Sequence, residues 1–296
     1  MNGAPDFAAR VERQVLRLRS QPLGNLEVEV AAKRCAWLER EWPRVPGRLA
    51  DRHLSPRLAF DLLLLDYTRL AEQDLPILTN TPTEIAWSSE NPCPTLEACL
   101  QLGLDTRVVC RRVYEKSTQA FLSRLDPELR FLRDYGAIRP QASGCRERIV
   151  RVDFAAMMHR SIEEARLSRQ EGNKGYGAVV ALGHRILAQG HDTAISERDP
   201  SLHAEMNAIR AAIRVTGHAD LCGGVLFSTS EPCPMCAALA VWANLTTLVF
   251  GASVAETAAR GKVRILVPAA EITARGPSLI EIVPGVLASE CLALYA

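Results

Sequence analysis

The 296-residue sequence predicts an α/β layered domain in its C-terminal half, preceded by a mostly helical domain. Three observations carry this reading. Beyond about residue 150, short apolar runs of strand character alternate with amphipathic segments of about ten residues. Before about residue 135, apolar residues recur at helical spacing among Arg and Glu. Between them, around Tyr135–Gly144, the pattern breaks into Gly, Pro and Ser. The boundary is placed there, giving residues 1–145 as the helical domain and 146–296 as the layered one.

In the first domain Phe7–Leu18, Leu26–Leu38 and Pro56–Leu70 read as helices, punctuated by Pro43 and Pro46 and then by Pro76 and Pro82. Asp105 has the character of an N-cap for a long helix through Val108, Val113, Phe121 and Leu122. In the second domain Val152–Arg169 is an amphipathic helix, and Gly177–Leu182 and Arg185–Gln189 form a hairpin around Gly183-His184. A helix over His203–Val215, a strand over Gly224–Thr229 and a helix over Cys233–Trp242 follow. Thr246–Gly251 and Val263–Val267 read as strands, and Pro268 opens a short helix. Leu279–Ile282 is a weaker strand and Val286–Leu294 a closing helix.

Composition is that of an ordinary globular chain, with 48% hydrophobic and 23% charged residues. The longest apolar run, Leu62–Leu65, lies between Asp61 and Asp66 and falls far short of the ~20 residues of a membrane span. Met1–Arg10 contains Asp6 and lacks the apolar core of a secretory signal, so a cytoplasmic location is expected. The nine cysteines are then thiols or metal ligands rather than a disulfide framework. Formal net charge is +1. Residues 1–150 hold 22 Lys and Arg against 20 Asp and Glu, the remainder 13 against 14, and no cation occurs from Gly276 onward. A surface built to grip nucleic-acid phosphates is not expected from this distribution.

The chemistry concentrates in Leu202-His203-Ala204-Glu205 and Glu231-Pro232-Cys233-Pro234-Met235-Cys236. Zinc favours nitrogen and thiolate sulfur, and a catalytic site keeps one coordination position for water. His203, Cys233 and Cys236 supply three protein ligands and leave the fourth position free. Both sulfurs of a Cys-x-x-Cys at a helix start lie on one side of its first turn, where the helix N-terminus favours thiolate. Glu205 is not needed as a ligand, and a carboxylate beside an activated water takes its proton and passes it to a leaving amine. A structural zinc site or a redox pair is the alternative, although a structural site normally takes a fourth protein ligand. His-x-Glu combined with Pro-Cys-x-x-Cys is the signature of zinc deaminases.

On these residues, the stretch from about 150 to 251 resembles the cytidine deaminase-like superfamily, in its branch of guanine, cytosine and tRNA adenosine deaminases. The resemblance implies a three-layer α/β/α domain with a central mixed sheet, a hydrolase acting on cyclic amidine C–N bonds, a Zn2+ cofactor and a homodimer. It carries the metal ligands onto His203, Cys233 and Cys236 and the catalytic carboxylate onto Glu205. Gly177-Ala178-Val179-Val180 and Gly190-His191 match the family's substrate-side strands. The Ala204 N–H is then expected to face the substrate. Where relatives carry Gly-x-Asn, this chain has Gly190-His191-Asp192. An ionised aspartate only accepts hydrogen bonds, which suits neighbouring N–H donors such as the guanine N1–H and 2-amino edge. The plainer reading is that Asp192 caps a turn with Thr193. Trp242 stacks on the base or belongs to the core or a dimer interface. Glu256, Glu271, Glu281 and Tyr295 reach over the site or are surface residues.

Three functions follow. The first is hydrolytic deamination of a free nucleobase, nucleoside or related small heterocycle, guanine-like in preference. The second is adenosine-to-inosine deamination in tRNA. The third is a non-catalytic, zinc-stabilised ligand-binding or regulatory protein. In the first domain, Cys93, Cys99, Cys110 and Cys145 match no zinc spacing, and Cys99 and Cys110 read as core thiols. That domain is left as a ligand-binding, substrate-delivering or oligomerising element.

Overall fold

The computed structural model describes residues 6–41, 43, 54–277 and 279–295, so Pro46 lies outside the described residues. The chain divides into two compact units, Met1–Arg151 and Val152–Ala296.

The first unit begins with helices α1 (Phe7–Ser20) and α2 (Leu23–Glu41). Helix α3 (Pro56–Phe60) starts at Ser55, whose side chain accepts from the Leu58 N–H, and runs into a π-helical stretch over Asp61–Tyr67. Strands β1 (Ile77–Asn80) and β2 (Glu84–Ser89) and helix α4 (Pro94–Leu102) follow. The long helix expected after Asp105 is present as α5 (Thr106–Val109), a π-helical Cys110–Glu115, and α6 (Lys116–Leu125). The Asp105 side chain caps it by accepting from the Arg107 N–H.

The unit is helix-rich, as expected, but it also contains an unanticipated antiparallel sheet. With β3 (Leu129–Arg133) and β4 (Cys145–Arg151), the strands lie in the order β1-β2-β4-β3. Residues 145–151 therefore form an inner strand of the first sheet, six residues beyond the boundary set from sequence. The inward side chains of β2 are Ile85, Trp87 and Ser89. Trp87 packs edge-on to Phe60 at 4.9 Å within a core shared with Leu63, Phe121, Phe131 and Ile149. Burying each apolar side chain of this kind contributes about 1.5–3 kcal/mol. The same region holds a buried ion pair. Arg133 Nε donates to Glu147 Oε1 at 2.8 Å, while Trp87 Nε1 and the Ser89 hydroxyl donate to Oε2 at 3.0 and 2.6 Å.

The second unit begins with α7 (Phe154–Gln170), capped by Asp153, and continues through the β5 (Gly177–Leu182) and β6 (Arg185–His191) hairpin. Then come α8 (Ala204–Thr216), β7 (Val225–Ser230), α9 (Pro234–Trp242) and β8 (Thr247–Ala252). Helices α10 (Val254–Ala259) and α11 (Ala269–Thr273), strand β9 (Glu281–Pro284) and helix α12 (Ala288–Ala293) complete it. The sheet order is β6-β5-β7-β8-β9, antiparallel at the hairpin side and parallel from β7 to β9. Alternation along the strands separates the faces. Ala178, Leu226 and Leu248 share a core with Ala208 of α8 and Ala237 of α9. Phe227 meets Phe154 of α7 on the opposite face, where Gly251 lies against Cys291 of α12. This is the expected three-layer arrangement around a mixed sheet.

One expected strand is absent. Residues 262–268 form neither helix nor strand, and Val263 is fully exposed while Ile265 and Leu266 are largely so. Strand β9 pairs in parallel with β8 from Thr247↔Glu281 onward and occupies the edge that 263–267 would have needed. The apolar run serves another purpose, at the site below.

Candidate active site

His203 is the N-cap residue of α8, and Glu205 lies in that helix's first turn. Cys233 is the N-cap residue of α9, with Pro234 opening the helix and Cys236 within its first turn. The two helix starts converge because Gly190 lets α8 lie directly on β6. A Cβ at position 190 would sit 2.7 Å from Ala208 N and 3.0 Å from Ala204 O.

This packing brings three ligand atoms together. Cys233 Sγ is 3.5 Å and Cys236 Sγ 3.6 Å from His203 Nδ1, and the two sulfurs are 3.6 Å apart. Zinc–sulfur and zinc–nitrogen bonds at tetrahedral angles give edges of about 3.8 Å (S–S) and about 3.6 Å (S–N). The donor set therefore fits one zinc ion without rearrangement. Among the described residues, this is the group of three or more His, Cys, Asp or Glu atoms close enough to hold a metal.

The electrostatics suit that purpose. Without the metal, a hydrogen bond from the Cys236 thiol, helped by His203, holds Cys233 down to about 3, and the same bond together with burial pushes Cys236 up. The bond to Cys233 raises His203. Glu205 is buried, and burial, reinforced by the Cys233 charge, raises its carboxyl above the usual range. The Ser228 hydroxyl is shared between Glu205 Oε1 at 3.1 Å and the Ser230 carbonyl at 2.7 Å, which fixes the carboxyl against β7.

His203, Glu205 and Cys233 open into a cavity of about 400 Å3, also lined by Lys174, Tyr176, Lys262 and Arg264. Sequence reasoning missed these last four, which come from a loop before β5 and from the segment read as a strand. That segment is anchored by Glu231. Its carboxylate accepts from Val254 N at 2.9 Å and Ala269 N at 2.8 Å, and its carbonyl accepts from Arg264 Nη2 at 2.6 Å. Arg264 lies 5.4 Å over the Tyr176 ring, and Tyr176 packs on buried Tyr295 at 5.1 Å. The only signal for Glu231 was its position beside Pro232-Cys233.

The other candidates separate. Ala204 is fully buried at the first position of α8. Asp192 follows β6 and is fully buried; its Oδ1 accepts from Ala194 N at 3.3 Å, and Oδ2 is buried without a partner. Its charge contributes to the raised pKa of both His203 and Tyr176, although it does not line the cavity. Trp242 ends α9 with 77% of its surface exposed and is neither core nor cavity lining. Glu256 forms a capping box with Ser253, Glu271 lies near Arg275, and Glu281 accepts from Thr247, so none of the three lines the cavity. In the other unit, Cys99 and Cys110 are pushed up by burial to about 11 and about 12.

Residues 153–252 match the family model described as the cytidine and deoxycytidylate deaminase zinc-binding region. The tRNA-specific adenosine deaminase of Bacillus subtilis is 33% identical over 134 residues, spanning 45% of this chain and 81% of that protein. The chain belongs to the cytidine deaminase-like superfamily. It is a zinc-dependent deaminase of that family, of the hydrolases acting on C–N bonds. The guanine deaminase of B. subtilis is 35% identical over 86 residues, 29% of this chain and 55% of that protein. A solved structure of guanine deaminase from Nitrosomonas europaea is 24% identical over 48% of this chain and 81% of that one, with a TM-score of 0.43. Relatives thus include enzymes of both a free base and a tRNA, and the family alone does not narrow the substrate to one of them. No helix among the described residues is long and apolar enough to cross a membrane.

Proposed function

We propose that this chain hydrolyses the exocyclic amino group of a small, guanine-like heterocycle and releases ammonia, with His203, Cys233 and Cys236 holding the zinc and Glu205 carrying the proton. The observation that supports this is the near-tetrahedral edge set of the three ligand atoms, open to a cavity that Glu205 also lines. Zinc bound there would lower the pKa of water toward neutrality. The buried Glu205 takes a proton from the attacking water and returns it to the departing amine, and its raised pKa suits both halves of that transfer. The Ala204 N–H belongs to the first turn of α8, where a helix N-terminus favours negative charge. Asp192, fully buried and outside the cavity lining, acts on the site through its charge on His203 and Tyr176 rather than by touching the substrate. Trp242 is left out of substrate binding in this reading.

The test is an ammonia-release screen over guanine, cytosine, adenine, their nucleosides and amino-triazines. Glu205→Gln should keep its zinc and lose at least about 10²–10⁴-fold in rate; near-full activity in that variant would sink the mechanism. His203→Ala and Cys233→Ser should lose the metal itself.

A second reading, adenosine in tRNA, draws on Lys174, Lys262 and Arg264 at the cavity, which the overall charge tally hid. Salt-sensitive tRNA binding that weakens in Lys262→Glu, together with inosine formation, would favour it over the first. Copies of the chain pair through the outer face of α9, where Met235 and Trp242, seven residues apart, are exposed together.

A further inference from the structure

We propose that the N-terminal unit carries a second binding site, for a small molecule bearing a phosphate monoester. Helices α1 and α2, the residues around the end of the first π-helical stretch and the start of α4 line an open cleft of about 540 Å3. Its walls carry Arg10, Arg13, Arg17, Lys33 and Arg34 against a single acid, Glu29. Glu29 is already engaged by Lys33 Nζ at 2.6 Å, Gln21 Nε2 at 2.9 Å and Arg17 Nη2 at 3.1 Å. These bonds hold its carboxyl at about 2, so it is ionised and leaves four positive charges in excess. Arg10 and Arg13 have no acidic partner among the described residues.

Arg34 is the decisive group. It is nine-tenths buried, and Nη1 donates to Ser117 Oγ at 3.0 Å, to Thr118 Oγ1 and to the Tyr114 carbonyl at 3.3 Å. No carboxylate among the described residues pairs with it, and its buried Nε has no partner at all. Arg17 Nε is buried and unpartnered as well. A guanidinium cannot shed its charge, so a buried one is costly until an anion completes it. A phosphate monoester brings close to two negative charges and three acceptor oxygens, which answers a fourfold excess of positive charge better than a single carboxylate does. Tyr67 and Tyr114 add flat faces to the wall for the body of the ligand.

The experiment is calorimetry and thermal melting of the full chain with inorganic phosphate, ribose 5-phosphate, acetate at matched ionic strength, and a short RNA lacking terminal phosphates. Phosphate and ribose 5-phosphate should bind and raise the Tm, and acetate should not. Arg34→Gln should abolish the effect, and the exposed charge reversal Arg13→Glu, which does not disturb the core, should weaken binding about tenfold or more. Lys262→Glu, at the other unit's cavity, should leave it unchanged. Three results overturn the proposal: no response to either phosphate, a response equal in Arg13→Glu and the native chain, or RNA binding lost in Arg13→Glu while ribose 5-phosphate stays unbound.

Discussion

A single methyl group at position 190 would probe how strictly the sheet sets the metal geometry. In Gly190→Ala the new Cβ meets Ala208 N at 2.7 Å, and both that atom and Ala204 O belong to the backbone of α8, so no side chain can swing aside. Ordinary contact begins near 3.4 Å, so the start of α8 must retreat by about 0.7 Å or the strand must bend by as much. That helix start carries His203 and Glu205, whereas Cys233 and Cys236 ride on α9 and stay behind. Metal sites tolerate ligand displacements of about 0.2 Å. The substitution should therefore cost about 1–3 kcal/mol in stability through overpacking and lower zinc affinity by a larger factor than it lowers the melting midpoint. Zinc content after dialysis against a graded chelator series, alongside urea unfolding of the metal-free protein, separates the two. Gly190→Ala that retains zinc as tightly as the native chain while folding normally would refute the claim that this contact sets the site.

Other perturbations have equally definite outcomes. Glu147→Ala should destabilise the chain by about 3–5 kcal/mol in urea melts, because it strands the Arg133 guanidinium and removes the acceptor of the Ser89 hydroxyl and one of the two acceptors of Trp87 Nε1; a loss below about 1 kcal/mol would show that the pair is solvated. His191 is opposed by burial, but its bonds to Glu164 at 2.8 Å and Glu171 at 2.9 Å outweigh this and raise its pKa. Its contribution to stability is thus complete below the unfolded value of about 6.5 and disappears as pH climbs through the raised folded value. His191→Gln should accordingly lose more stability at pH 5.5 than at pH 8.5, and a pH-independent difference would contradict that. Trp242→Glu should shift the chain toward monomer in light scattering, with zinc retained; an unchanged mass would remove α9 as the pairing face.

The metal site was legible because its chemistry is local. His203 and Glu205 are two residues apart, Cys233 and Cys236 three, and each pair begins a helix whose apolar spacing is plain. The β5–β6 hairpin was equally legible from Gly183-His184 between two apolar runs. The first sheet was not. Strand β1 is exposed at every position, and β3 and β4 carry charged residues inside, Arg130 among them, with Arg133 and Glu147 held as an ion pair rather than by hydrophobicity. In β2 the alternation of Ile85, Trp87 and Ser89 was present but followed closely on Pro76 and Pro82, which read as punctuation. The opposite error arose at 263–267, where an apolar run suggested a strand although β8 had no free edge to offer it. The cavity lining came from segments some ninety residues apart, which no local pattern connects.

The anchoring of residues 254–269 by one buried carboxylate has a bearing on how this enzyme can be re-engineered. Glu231 grips the segment at both ends, and between the grips residues 262–267 make no strand pairing. Sequence changes there would alter the cavity mouth without entering the sheet or the ligand helices. Residues 262–267 thus form a replaceable cassette at the cavity mouth, and randomising 262, 263 and 265–267 with Glu231, Val254, Arg264 and Ala269 held constant varies that mouth while the sheet and the ligand helices stay untouched.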